Sequence, residues 1–327
     1  MAKIKKDTSL RKAILQAAIT GQLISDVDGE TETGKQLLDR IIEERNKKLL
    51  ADWEEAKKKN PKAKKLAPIV ASEIAEDEIP FEIPENWCWC RLGDLGITNT
   101  GATPSKNNPE YFGNFIDFLS PGDIQNSIIT YGRQGLSEAG YKVARPTPSG
   151  TIIQVCIGGS IGKCAVVDRE VTFNQQINSI TTICSNTQYI YYVLSSEYFQ
   201  KIVIEYSTGT ATPIINKSSW EKLYIPLPPL AVQNAIVAKL EEVLPMVDAY
   251  ENAVLQKEEL KTALPNKIKK AILPEAIQGK LTEEWRKTTT IEETGKQLLD
   301  KIIEERNAKL LADWEEAKKK NPKAKKL

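Results

Sequence analysis

The sequence predicts a mixed α+β protein: one α/β domain with a curved, mostly antiparallel sheet, joined to long coiled-coil-forming helices. Three observations predict it. Two nearly identical copies of a charged, helix-patterned segment flank a unique middle. An apolar seam with helical spacing follows that middle. The middle itself is rich in β-branched and aromatic residues, interrupted by Gly, Pro and Asn turn signals.

The repeat organises the chain. Residues 32–66 and 293–327 differ at two of 35 positions, Arg40 against Lys301 and Lys47 against Ala308. The likeness continues upstream, where residues 11–23 match 269–281. The spacing between the copies is too wide for a solenoid. Thr33 with Gln36, and Thr294 with Gln297, have the pattern of a capping box at a helix start. Leu37, Leu38, Ile41, Ile42, Leu49, Leu50 and Trp53 recur at helical spacing. Lys57, Lys58 and Lys59 suit the negative end of a helix dipole, and Pro61 stops the helix.

In the middle, residues 151–157 and 179–184 read as strands and 189–206 as a helix. Turn signals fall at Thr103-Pro104, Pro121-Gly122 and Gly158-Gly159. Residues 225–230, Ile-Pro-Leu-Pro-Pro-Leu, read as a stiff hinge into a helix over 231–264. Along that helix Ile236, Leu240, Val243, Val247, Tyr250 and Val254 alternate spacings of four and three, a coiled-coil seam. Pro245 is expected to kink it. With Leu299 and Ile302 of the second repeat, these six are the expected partner-helix residues. Periodicity leaves open whether the partner lies in this chain or in another copy. The expected domains are a helical segment holding the first repeat (1–79), a central α/β domain (80–229) and a helical segment holding the second repeat (230–327).

Composition removes several classes of chemistry. The chain has no histidine, which excludes Cys/His zinc sites, histidine bases and Ser-His-Asp triads. Five cysteines, an odd number, read as reduced and buried, with Cys88 and Cys90 on one face of a strand. No apolar run approaches membrane-spanning length and no signal peptide is evident, so a cytoplasmic protein is expected. Net charge is +1, and residues 80–230 hold ten Lys/Arg against twelve Asp/Glu. A nucleic-acid site therefore depends on how charges are arranged in space. Gly158-Gly-Ser-Ile-Gly-Lys163 fails the Walker pattern twice, at Ile157 and Cys164. No pattern argues for a metal site or a catalytic engine.

Polar loops remain. Thr103, Ser105, Lys106 and Asn107 lie in one. Asn174, Gln175, Gln176 and Asn178 supply amides of the kind that pair bidentately with adenine. Thr208, Thr210, Thr212, Asn216 and Lys217 supply hydroxyls, an amide and a cation. Arg133, Lys142, Arg145 and Lys163 suit phosphates or guanines. For each of these a structural turn role stays equally open.

The ordered set of segments resembles type I restriction-modification specificity subunits. It comprises residues 82–94 (EIPENWCWCRLGD), 100–106 (TGATPSK), 118–124 (FLSPGDI), 158–163, 174–177 and 208–213 (TGTATP). Residues 225–240 are similar to the start of that family's spacer helix, and 13–23 to its distal part. The resemblance implies recognition of double-stranded DNA on behalf of partners, with no cofactor in this chain. Modification subunits would bring S-adenosylmethionine for adenine methylation; a restriction subunit would bring ATP and Mg. The family's usual chain carries two recognition domains, so this one reads as a half-length form. A second copy is then the expected partner, through the spacer helices, on a bipartite inverted repeat. The rivals are a helical scaffold whose central domain binds protein, and a stand-alone nuclease or methyltransferase.

Overall fold

The computed structural model describes residues 8–62, 68–71, 74–125, 127–209 and 212–321. Thr210 and the last residues of both repeats lie outside them. Contacts divide the chain into two units, residues 5–255, and residues 256–327 with the first four.

The larger unit opens with helices α1 (Ser9–Ile19) and α2 (Gly34–Lys59). The capping box forms as expected: Thr33 Oγ1 accepts from Gln36 N at 3.3 Å, and Thr33 N donates to Gln36 Oε1 at 2.8 Å. The helix ends at Asn60, after its three lysines and before Pro61. Leu37, Leu38 and Ile41 point into the core.

Next come β1 (Cys88–Arg91), β2 (Gly96–Thr100), β3 (Phe112–Leu119), β4 (Ile124–Gln125), β5 (Ile128–Ile129) and β6 (Gly135–Leu136). Helix α3 (Glu138–Val143) precedes β7 (Ile152–Val155), β8 (Cys164–Val166), β9 (Thr172–Phe173) and β10 (Ile177–Thr182). Helices α4 (Thr187–Ser195), α5 (Glu197–Glu205) and α6 (Lys217–Glu221) lead to β11 (Tyr224–Leu227). The strands form small sheets in place of one: β2-β10-β7-β8, β6-β3-β9, β1-β11 and β4-β5. All pairs are antiparallel except β3 with β9.

Strand β7 explains the central packing. Its successive side chains alternate between two faces, and both faces are buried. Ile152 joins the larger core with Ile180 and Trp220. Ile153 and Val155 join a second core with Phe173 and Ile177.

Two expectations for this part of the chain need correcting. The helix expected over 189–206 is two helices, because Ser196 is buried and caps the second. Its Oγ accepts from Phe199 N at 3.2 Å and donates to Val193 O at 2.7 Å. The expected hinge at 225–230 begins as a strand, with Pro226 opposite Trp89 of β1. Proline is tolerated where no further strand needs its missing N–H, and Tyr189 Oη donates to its carbonyl at 2.8 Å.

Helix α7 (Leu230–Ile277) is longer than the pattern indicated, and Pro245, Pro265 and Pro274 lie inside it without ending it. Within the larger unit its buried stripe is Val232, Ile236, Leu240, Leu244 and Val247, closing on Glu251. The expected seam is therefore rotated: Ile236, Leu240 and Val247 are buried, Val243 and Val254 are half-buried, and Tyr250 is 61% exposed. Arg11 of α1 pairs with Asp248 at 2.9 Å.

The second unit holds the rest of α7, then α8 (Glu283–Thr288) and α9 (Gly295–Lys320). Helix α9 repeats the capping box, Thr294 with Gln297, at 3.3 and 2.8 Å. Leu260, Leu264, Ile268 and Ile272 are all exposed, as are Leu299 and Ile302. Among the described residues, no helix is long and apolar enough to cross a membrane.

Candidate nucleic-acid interface

Four of the polar loops meet along one edge of the larger unit, and backbone hydrogen bonds between them create the edge. The first loop leaves β2: Gly101 N donates to Ile177 O and Ala102 N to Phe173 O, both at 3.0 Å. Glycine is required there, because a Cβ on Gly101 would sit 2.1 Å from Asn174 O. The second loop is the β9–β10 turn, where Gln176 O accepts from Cys156 N at 2.8 Å. The third is the β7–β8 turn, where Gly158 N donates to Pro213 O at 2.9 Å. The fourth precedes α6, with Ile214 bridged to both Ile157 and Thr208.

The β7–β8 turn also disposes of a phosphate-loop reading on structural grounds. Such a loop opens a helix whose N-terminus faces the phosphate. Here Gly158-Gly-Ser-Ile-Gly-Lys163 joins two antiparallel strands.

A buried polar group that the expectations missed ties the third loop to helix α6. Gln154 on β7 is fully buried. Its Nε2 donates to Gly162 O at 3.0 Å, and its Oε1 accepts from Trp220 Nε1 at 2.6 Å. Gln200 of α5 gives the same Gly162 carbonyl a second donor at 2.8 Å. The signal was present in the sequence: a lone glutamine inside the apolar run 151–157 needs partners when buried.

The structure sorts the candidate residues. Thr103 Oγ1 donates to Gln175 Oε1, joining the first and second loops. Lys106, Asn107, Lys163, Gln175 and Thr212 are exposed at or beside the edge. Arg145 reaches it too, donating to Thr100 O at 3.1 Å. Lys217 pairs with Glu221 at 3.1 Å, and Glu221 also accepts from Thr98 Oγ1.

Others are committed to local turns. Ser105 accepts from Asn107 N at 3.4 Å. Asn174 accepts from Gln176 N and donates to Gln176 Oε1. Asn216 caps α6 through Ser219 N at 2.9 Å, and Thr208 Oγ1 donates to Ile214 O at 3.3 Å. Arg133 is held on a different turn, by Asp123 at 3.4 Å, and Lys142 is exposed on α3. Asn178 departs from the expectation. It is 2% exposed, accepts from Thr100 Oγ1 at 2.7 Å, and does not reach the surface. Its place in the β2–β10–β7 ladder is the reason.

The chemistry of the edge is hydrogen bonding and charge. Burial pushes the Cys156 thiol up to about 12 and the Cys164 thiol up to about 11, so neither is a thiolate at neutral pH. Burial likewise raises the Asp94 carboxyl, opposed by the Arg91 backbone N–H and by Arg45. Among the described residues, no group of three or more Cys, Asp or Glu is placed to hold a metal ion.

Residues 84–260 match the family described as the type I restriction modification DNA specificity domain. The chain is 30% identical over 171 residues to the HindI type I restriction enzyme specificity subunit of Haemophilus influenzae, covering 50% of this chain and 37% of that one. It is 27% identical over 253 residues to the EcoAI specificity subunit of Escherichia coli, covering 72% and 39% respectively. Among solved structures, the HsdS subunit from Thermoanaerobacter tengcongensis aligns with a TM-score of 0.45 and 21% identity, over 75% of this chain and 56% of that one. The matched stretch thus spans about two-fifths of the length of these curated relatives.

Proposed function

The chain belongs to the type I restriction-modification DNA specificity family, and we propose that it reads double-stranded DNA for partner subunits and carries out no chemistry itself. The observation that carries this reading is the gathered edge. Loops from four separate parts of the sequence are tied together there by backbone bonds, and they leave amides, hydroxyls and cations exposed. Sequence is read by such groups at base edges, while cations on phosphate fix the register. In this reading Gln175 and Thr212 approach bases, and Lys106, Arg145 and Lys163 approach phosphates or guanines.

The helical segments on either side of the recognition domain (80–229) take the partners. These are modification subunits, which bring S-adenosylmethionine and methylate adenine, and a restriction subunit, which brings ATP and Mg. A second copy of this chain associates through the spacer helices, where Tyr250, Leu299 and Ile302 are exposed. Two copies related by a twofold axis present two edges to inverted half-sites. The complex works where the DNA is, in the cytoplasm.

The test is selection of bound sequences from random duplex DNA by the chain with its modification subunit, at two salt concentrations. Recovery of a split inverted repeat is expected. Binding that is salt-sensitive but blind to sequence, or no binding, removes the reading and favours a scaffold whose central domain binds protein.

A further inference from the structure

The two copies of the repeat carry the same side chains and have opposite surroundings. In the first, Gly34, Leu37, Leu38, Ile41 and Arg45 are buried. Their counterparts in the second, Gly295, Leu298, Leu299, Ile302 and Arg306, are exposed. The contrast extends upstream, where Leu15 and Ile19 are 5% and 0% exposed and their counterparts Leu273 and Ile277 are 60% and 78% exposed.

The first copy shows what this helix face fits. Helix α2 lies against the β1–β11 pair, with Gly34 N donating to Asn86 O at 2.7 Å. The approach is so close that a Cβ on Gly34 would lie 2.2 Å from Leu227 O and 2.8 Å from Cys88 N. The second copy keeps that glycine, and nothing lies within 4 Å of a Cβ built on Gly295. In the first copy, the side chains at the two differing positions pair with carboxylates of the repeat itself. Arg40 pairs with Glu32, and Lys47 with Glu43 and Glu44.

We propose that the seat on the recognition domain is shared: when α2 lifts off, α9 of a second copy of this chain takes its place. Exchange swaps one face for an identical one, so the net burial is unchanged and effective concentration decides the occupant. The chain's own α2 is tethered, at an effective concentration on the order of millimolar. Exchange therefore shows when α2 is weakened. The inference names the same partner as the self-association above, but the two fail separately: a dimer indifferent to the seat sinks only this one.

A native thiol reports the exchange, because Cys88 lies in the seat beside Lys35. Full-length chains carrying Lys296→Cys with Cys88→Ser are mixed with chains that keep Cys88, under a mild oxidant. Lys35→Cys is the same-chain control for the bond, and mixtures without Cys88 are the blank. A Cys88-dependent dimer is expected. It should rise about tenfold or more when the Cys88 chain carries Gly34→Val, since the added methyls overpack the seat. It should then fall when the other chain also carries Gly295→Val. If Gly34→Val does not fold, Leu37→Ala and Leu298→Ala give the same series by loss of contact instead of a clash. No rise on weakening α2, or a dimer indifferent to the α9 substitution, overturns the proposal. So does a Lys296→Cys chain that keeps Cys88 and cross-links it only within the monomer.

Discussion

Gln154 lies wholly inside the recognition domain and ties the β7–β8 turn to helix α6. Replacing it with leucine leaves Trp220 Nε1 without its acceptor and Gly162 O with one donor in place of two. Losing a partner for a buried polar group costs about 1–3 kcal/mol. The unfolding midpoint of Gln154→Leu should therefore fall by several degrees, read by calorimetry, with a change in Trp220 emission. At the exposed edge the readout is salt. Lys163→Ala should lower the slope of log K against log salt by about 0.9 if the lysine neutralises one phosphate. Asn178→Ala, being buried, should leave that slope unchanged and lower stability. The thiols give a pH test: Cys88 and Cys156 stand at about 12 and Cys164 at about 11 in the fold, against 9.0 for a free thiol, all through burial. Raised thiol values mean that the folded state holds its protons longer. Their contribution is whole below pH 9 and is lost as pH rises towards 11–12, so the midpoint should decline over that window. At this scale residue types were legible in the sequence and surroundings were not. Asn178 and Gln175 sit three positions apart in one amide-rich run, and only the β10 pairing sends one inward and leaves the other at the surface.

The repeat separates what local sequence decides from what packing decides. Both capping boxes form with the same bond lengths, and both helices end at an asparagine before proline. These features were legible because each is set within a few residues. Burial is not set that way. Ile41 is fully buried and Ile302 is 51% exposed at the same place in the same helix. Ile41→Ala should cost roughly 2–5 kcal/mol, while Ile302→Ala should stay within about 0.5 kcal/mol for the isolated chain. Urea unfolding of the two variants checks this, and equal costs would mean that α9 is buried in solution. Of the departures from the expected elements, one has a local cause and the other does not. Ser196 divides one apolar pattern into two helices because its hydroxyl caps the second. Pro226 sits in a strand because, among the described residues, β11 has β1 alone as its neighbour.

At the scale of the molecule, the gathered loop edge was out of reach of sequence reasoning, since bonds such as Cys156 to Gln176 and Gly158 to Pro213 join distant segments. What the sequence did carry was the repeat, the apolar seam and the ordered set of motifs. Helix α7 runs beyond that seam, and its two parts differ in surroundings. Its first part is buried within the larger unit, whereas beyond residue 255 the apolar row at Leu260, Leu264, Ile268 and Ile272 is 45–59% exposed. Four large apolar side chains at every fourth position form a continuous stripe along one helix face. Stripes of this kind mark surfaces for other proteins. On the proposed reading, association through it is driven by apolar burial, which salt does not screen, whereas DNA binding through Lys106, Arg145 and Lys163 should weaken as salt rises. The two activities should therefore separate. Sedimentation equilibrium at rising salt should show dimer retained while the affinity for duplex DNA falls by orders of magnitude. Leu260→Lys with Leu264→Lys should return the chain to monomer and leave the salt slope of each recognition domain as it was. A chain that stays monomeric with its modification subunit present has only one reading edge per particle, which is incompatible with a twofold inverted site.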